Sequence, residues 1–76
     1  MDEMGKALRL RRTQLGLSQE ELANLAGCRR LFVHELETGA TNPRLDKLMA
    51  ILKVLGCQLS IEPGRGEVVV KLDARH

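Results

Sequence analysis

The sequence predicts a mainly α domain that ends in a short β segment, and three observations carry that expectation. Two short helical patterns flank a glycine turn between Ser18 and Gly39. A leucine-rich stripe then repeats at three- and four-residue spacing from Leu45 to Leu55. After Gly56 the apolar period drops from 3.6 to 2. With 76 residues the chain has room for one small domain. A core of that size is marginal alone, so association of copies is a natural way to enlarge it.

Taken in order, Met1 to about Gly5 is expected to fray. Lys6 to Leu15 is a helix, with Leu8 and Leu15 one heptad apart and Arg11 or Arg12 on or beside the same face. Gly16 ends it, and Leu17 is placed to act as a hydrophobic staple. Ser18 is a good N-cap, and Glu21 three residues later completes a capping box. Leu22, Leu25 and Ala26 follow at helical spacing, and Gly27 supplies a residue able to take positive φ. A second helix runs from about Arg29 to Thr38, burying Val33 and Leu36, and Gly39 closes it. A short helix, a glycine turn and another helix are the sequence shape of a helix-turn-helix.

Beyond a polar loop over Thr38–Asn42, Pro43 suits the start of a further helix. Its apolar stripe is Leu45, Leu48, Met49, Leu52 and Leu55, and Gly56 ends it. Cys57, Leu59 and Ile61 then alternate with polar residues as a half-buried strand. Pro63-Gly64-Arg65-Gly66 is a turn, and Val68, Val69 and Val70 begin a second strand that reaches about Leu72. A lone two-stranded hairpin is marginal in water and its edges invite pairing. Strand exchange between two copies, or coverage by another protein, resolves this. The chain accordingly divides into a helix-turn-helix unit, residues 1–56, and a β extension for dimerisation or partner binding, residues 57–76.

Composition narrows the function. The formal charge is only +2, but Arg9, Arg11 and Arg12 cluster early, and Arg29 with Arg30 open the second motif helix. One Phe and no Trp or Tyr offer no platform for stacking single-stranded bases. Cys28 and Cys57 have neither metal-ligand nor redox spacing and read as free thiols of a reducing cytosol. The residues contain no paired-carboxylate, Ser/His/Asp or Cys/His constellation and no phosphate-binding glycine loop, so no enzyme and no cofactor are expected. No signal peptide or bilayer-spanning run is present in the sequence, and a cytoplasmic location is expected.

LSQEELANLAG, followed by Val33, Leu36, Glu37 and Gly39, resembles the helix-turn-helix of the phage repressor/Cro (Xre) family. Gln19, Leu22, Ala23 and Gly27 fall at the family's spacing, and the likeness extends over about Leu8 to Gly56. It implies a compact lambda-repressor-like domain of four to five helices, acting as a homodimer on inverted-repeat double-stranded DNA. The family position of Arg12 implies an internal ion pair with Glu37, tying the first helix to the second motif helix; the alternative is a solvated surface arginine. The β extension resembles that of HipB-type antitoxins, whose C-terminal strands pair across the dimer. Here that would involve Cys57, Leu59, Ile61, Val68, Val69 and Val70.

The second motif helix is expected in the major groove. Family positions make Arg29, Arg30, Leu31, His34 and Glu35 the base-contact candidates. Arg30 comes first, because an arginine reads guanine O6 and N7 through a bidentate contact. Leu31 can pack on a thymine methyl. Arg29 reads equally as a phosphate contact, and His34 as a wet helix-surface residue. Glu35 either accepts from cytosine N4 or is tied up by a neighbouring arginine. Ser18, Gln19, Thr41, Asn42 and Arg44 are the phosphate-contact candidates, with Gln19 as the family's phosphate clamp. Phe32 reads as structural, at the edge of its helix.

The leading expectation is therefore a dimeric transcriptional repressor, in its narrower form an autoregulating antitoxin that binds a HipA-like kinase toxin. The alternatives are a free-standing phage-type or restriction-modification control regulator and, from another class, a protein–protein adaptor docking through the helical domain.

Overall fold

A computed structural model describes residues 2–60 and 69–71. Four helices and two short strands appear among them: α1 (Asp2–Gln14), α2 (Gln19–Ala26), α3 (Arg30–Thr38), α4 (Leu45–Leu55), β1 (Gln58–Ser60) and β2 (Val69–Lys71).

Local chemistry sets the boundaries of α2. The Ser18 hydroxyl accepts from the Glu21 N–H at 3.0 Å, and the Glu21 carboxylate accepts from the Ser18 N–H at 2.8 Å. The two orphan donors of the first turn are thereby satisfied reciprocally. Gly27 ends the helix at φ 73°, the left-handed region, and turns the chain sharply into α3. Leu17, half-buried against the core, precedes the cap as a staple residue should.

The core lies where all four helices meet. Leu8 comes from α1, Leu22 and Ala23 from α2, Val33 and Leu36 from α3, and Leu48, Ile51, Leu52 and Leu55 from α4, with Cys57 just beyond. Helix α3 packs on both α1 and α2, and α4 closes the other side against α1 and α2. Phe32 is half-buried and packs against this core.

Several expectations are corrected here. The first turn is helical rather than irregular: α1 begins at Asp2, and Gly5 is buried against α3. Leu15 is not a core residue; α1 has ended before it, and it is 41% exposed against 1% for Leu8. The inward stripe of α4 is rotated from the expected one. Ile51 is fully buried, whereas Leu45 and Met49 are exposed, since only one side of so short a helix can face three neighbours. Leu25 points outward for the same reason. Pro43 lies two residues outside α4, whose N-cap is Arg44.

The β extension is shorter than its apolar pattern. β1 holds Gln58–Ser60, without Cys57, and pairs antiparallel with β2 in the register Gln58–Lys71, Leu59–Val70, Ser60–Val69. The strands thus pair with each other within one chain. β1 packs beside α4 and β2 beside α1. Ile61, Val68 and the Pro63–Gly66 turn lie outside the described residues. Arg11, a half-buried arginine on the core side of α1, donates from Nε to the Leu55 carbonyl at 2.9 Å. That bond places a cation at the carbonyl end of α4, where the helix dipole favours one, just before β1.

Two predictions follow from burial and capping. Leu8→Ala will cost about 2–5 kcal/mol in a urea titration, whereas Leu15→Ala will stay within about 0.5 kcal/mol. The Ser18 backbone N–H, and then its side chain, hold the Glu21 carboxyl below the ordinary carboxylate range. A depressed pKa stabilises the fold above the unfolded-state value and loses that contribution as pH falls through the folded one. Glu21→Gln will accordingly flatten the acid limb of the stability curve below about pH 4.5.

Candidate nucleic-acid interface

The candidate interface is built outward from a buried carboxylate. Glu37, in the last turn of α3, has a side chain only 3% exposed. A lone charge there would be strongly disfavoured, so it must be paired and hydrogen-bonded. Arg12 of α1 supplies both: Nε lies 2.6 Å from Oε2 and Nη2 lies 3.1 Å from Oε1. Its remaining amine, Nη1, donates to the Leu17 carbonyl at 2.8 Å. The Glu37 hydrogen bond raises the Arg12 pKa further, against an opposing effect of burial.

From this pair a chain of contacts runs to the surface. Gln19, the first residue of α2, donates from Nε2 to Glu37 Oε1 at 3.1 Å. A carboxylate has no proton to give, so the Gln19 amide can face it only with nitrogen inward. Its Oε1 therefore points away, and there it accepts from Arg30 Nη1 at 3.0 Å. The buried charge thus sets the orientation of an amide one helix away, and that amide holds an exposed arginine at the N-terminus of α3. Sequence reasoning placed Arg12 with Glu37 and treated Gln19 and Arg30 as separate contacts. The structure brings all four together.

The other candidates are arranged around this line. Arg29 is the exposed N-cap of α3, one residue earlier than the expected helix interior, and makes no side-chain capping bond. Leu31 is 61% exposed and His34 is exposed beside it. Glu35 is half-buried; its carbonyl accepts from Ala40 N–H and closes α3 around Gly39. Ser18 is exposed, with its backbone N–H and its hydroxyl acceptor engaged in the capping box. Thr41 is half-buried and Asn42 and Arg44 are exposed on the loop into α4. Arg44 reaches Asp46 at 3.4 Å, both side chains largely in solvent, a pairing that contributes little.

An open groove runs along the flank of α3, lined by Gly27, Cys28, Arg29, Leu31, Phe32, Glu35 and Lys47. Lys47, which the sequence did not single out, adds a cation beside the turn. Cys28 is half-buried there; burial pushes its thiol pKa up, with the Lys47 charge opposing. Among the described residues, no helix is long and apolar enough to cross a membrane. Nor do three His, Cys, Asp or Glu side chains among them gather as a metal site.

A tight helix pair whose second helix opens on two solvent-facing arginines, Arg29 and Arg30, is the arrangement of a DNA-reading helix-turn-helix. The chain belongs to the helix-turn-helix family of the phage repressor/Cro type: the family model described as Helix-turn-helix matches residues 8–61. It is 43% identical over 60 residues to an uncharacterized HTH-type transcriptional regulator of Haemophilus influenzae, a match spanning 79% of this chain but only 61% of that protein. A second relative, the uncharacterized HTH-type transcriptional regulator y4mF of Sinorhizobium fredii, is 34% identical over 78% of each chain.

Among solved structures, the chain is similar to the restriction-modification controller protein C.AhdI of Aeromonas hydrophila. The TM-score is 0.69 at 39% identity, over 71% of this chain and 82% of that one. The clp gene regulator ClgR of C. glutamicum gives 0.69 at 29% identity, over 72% and 70%. Bacillus thuringiensis PlcR, solved with the peptide PapR7 and DNA, gives 0.65 at 30% identity, over 72% of this chain and 19% of that one. The chain thus carries the helix-turn-helix domain of a family of DNA-binding transcriptional regulators.

The Glu37 centre makes a quantitative prediction. Glu37→Gln removes one partner of a buried pair and will cost about 3–5 kcal/mol in thermal or urea unfolding at neutral pH. Gln19→Ala, which leaves the Arg12–Glu37 pair in place, will cost only about 0.5–1.5 kcal/mol.

Proposed function

We propose that the protein is a homodimeric repressor that reads an inverted-repeat operator with the N-terminal half of α3. The observation that carries this reading is the Arg30 guanidinium, held on the solvent face of α3 by Gln19 and through it by Glu37. Arg30 in that position is preorganised for a guanine edge. Arg29, Leu31, His34 and Glu35 complete the base-facing set. Ser18, Gln19, Thr41, Asn42 and Arg44 flank it as phosphate contacts, which fix register without reading sequence. The weak Arg44–Asp46 pairing costs little to exchange for a phosphate.

Dimerisation is assigned to the β extension, residues 57–76. Among the described residues β1 and β2 form a two-stranded sheet with an outer edge on each strand, the arrangement that pairing across a dimer would continue. A repressor acting on bacterial chromosomal DNA works in the cytoplasm.

The narrower role divides in two. The likeness to a restriction-modification controller protein, at 39% identity, favours a free-standing phage-type or restriction-modification control regulator. The β extension following α4 favours the antitoxin reading, in which the same edges would bind a HipA-like kinase toxin. Co-expression with the neighbouring reading frame separates them: a stable complex with a kinase-sized product supports the antitoxin, and a homodimer alone supports the free regulator.

DNA reading itself is tested by fluorescence anisotropy on the protein's own upstream region. The expected result is affinity that falls steeply as salt rises. Arg30→Ala should lose about 1–3 kcal/mol of discrimination against scrambled DNA, and Arg44→Ala should weaken all sequences equally. Affinity indifferent to salt would instead support a protein–protein adaptor.

A further inference from the structure

Gly5 is the one described glycine without a conformational reason for being glycine. Gly16, Gly27, Gly39 and Gly56 all have positive φ; Gly5 lies in the first turns of α1 with ordinary helical φ. In a helix, alanine is the better residue. The reason lies in packing. A Cβ on Gly5 would overlap the Glu37 carbonyl oxygen and stand 2.8 Å from the Glu37 carbonyl carbon and from the Leu36 carbonyl oxygen. These atoms are backbone, so no rotamer change relieves the clash: α1 or α3 must move.

We propose that Gly5 is a positioning residue for operator reading: its missing side chain lets α1 seat against the C-terminal carbonyls of α3 and so sets the angle at which α3 meets DNA. Glu37 is then gripped twice by α1, through its backbone at Gly5 and through its carboxylate at Arg12. Displacing its backbone while Arg12 and Gln19 hold its carboxylate rotates the helix about that end. The displacement reaches the opposite end, where Arg30 stands. The inference rests on the DNA-reading role of α3 proposed above, and Gly5 lies outside the residues that the family model matches.

The test is Gly5→Ala in the full chain, with two readouts. Residual dipolar couplings report the orientation of α3 relative to α2 without DNA. Anisotropy reports the ratio of affinities for the upstream region and for scrambled DNA. We expect α3 to be reoriented and that ratio to fall at least about tenfold, with the salt slope on scrambled DNA unchanged, since phosphate contacts tolerate small rotations.

Lys6→Gly is the second variant. It weakens the same turn of α1 from its solvent side, without adding an atom at position 5, and the ratio should stay within about threefold of the parent's. The proposal is overturned if α3 keeps its orientation in Gly5→Ala while the first turn of α1 frays. It is also overturned if α3 moves and the ratio does not, or if Lys6→Gly loses as much discrimination. A parent protein binding all DNA equally would sink the operator reading, while the dipolar couplings would still decide whether Gly5 sets the position of α3.

Discussion

The carboxylate of Glu37 is the constraint on which the rest of the structure depends. It sits where α1, α2 and α3 converge, almost without solvent, and its charge must be met from both oxygens. Arg12 meets it from α1 and Gln19 from α2. Three helices are thereby fixed to one another by groups whose geometry is directional. Apolar packing from Leu22, Val33 and Leu36 supplies the bulk of the burial but would tolerate small slides. A bidentate guanidinium–carboxylate pair tolerates fewer.

The same arrangement couples stability to function. A small helix-turn-helix exposes its reading side chains on a helix only nine residues long, so orientation errors at one end become displacement at the other. Here the outer arginine does not rest on solvent alone. Its hydrogen bond to Gln19 continues inward to the buried charge, an acceptor–donor order that the carboxylate imposes. A side chain held this way enters a binding event with less freedom left to lose.

Much of this was legible in the sequence because it is local. The Ser18–Glu21 capping box, the Gly27 turn and the burial of Val33 and Leu36 follow from spacing and residue chemistry, and the structure has them all. Less legible was which side of each helix wins the core. Leu15, Leu25, Leu45 and Met49 match helical periodicity as well as Ile51 does, and only the placement of neighbouring helices excludes them. Side-chain bridges were mixed. The family resemblance marked Arg12 and Glu37, but nothing local says that Gln19 also spans to Glu37 or that Arg11 closes α4. The helical start at Asp2 was missed because its anchor is a contact Gly5 makes with a helix about thirty residues away, and composition reads such an end as loose.

The most direct test of the account is a double-mutant cycle between Gln19 and Arg30, measured as affinity for the protein's own upstream DNA. If the buried charge organises the reading residue through Gln19, Gln19→Ala and Arg30→Ala will be coupled by roughly 0.5–3 kcal/mol, the second substitution costing much less once the first is made. Effects that add within about 0.3 kcal/mol would contradict it, leaving Arg30 as an arginine that reads DNA without help from the core.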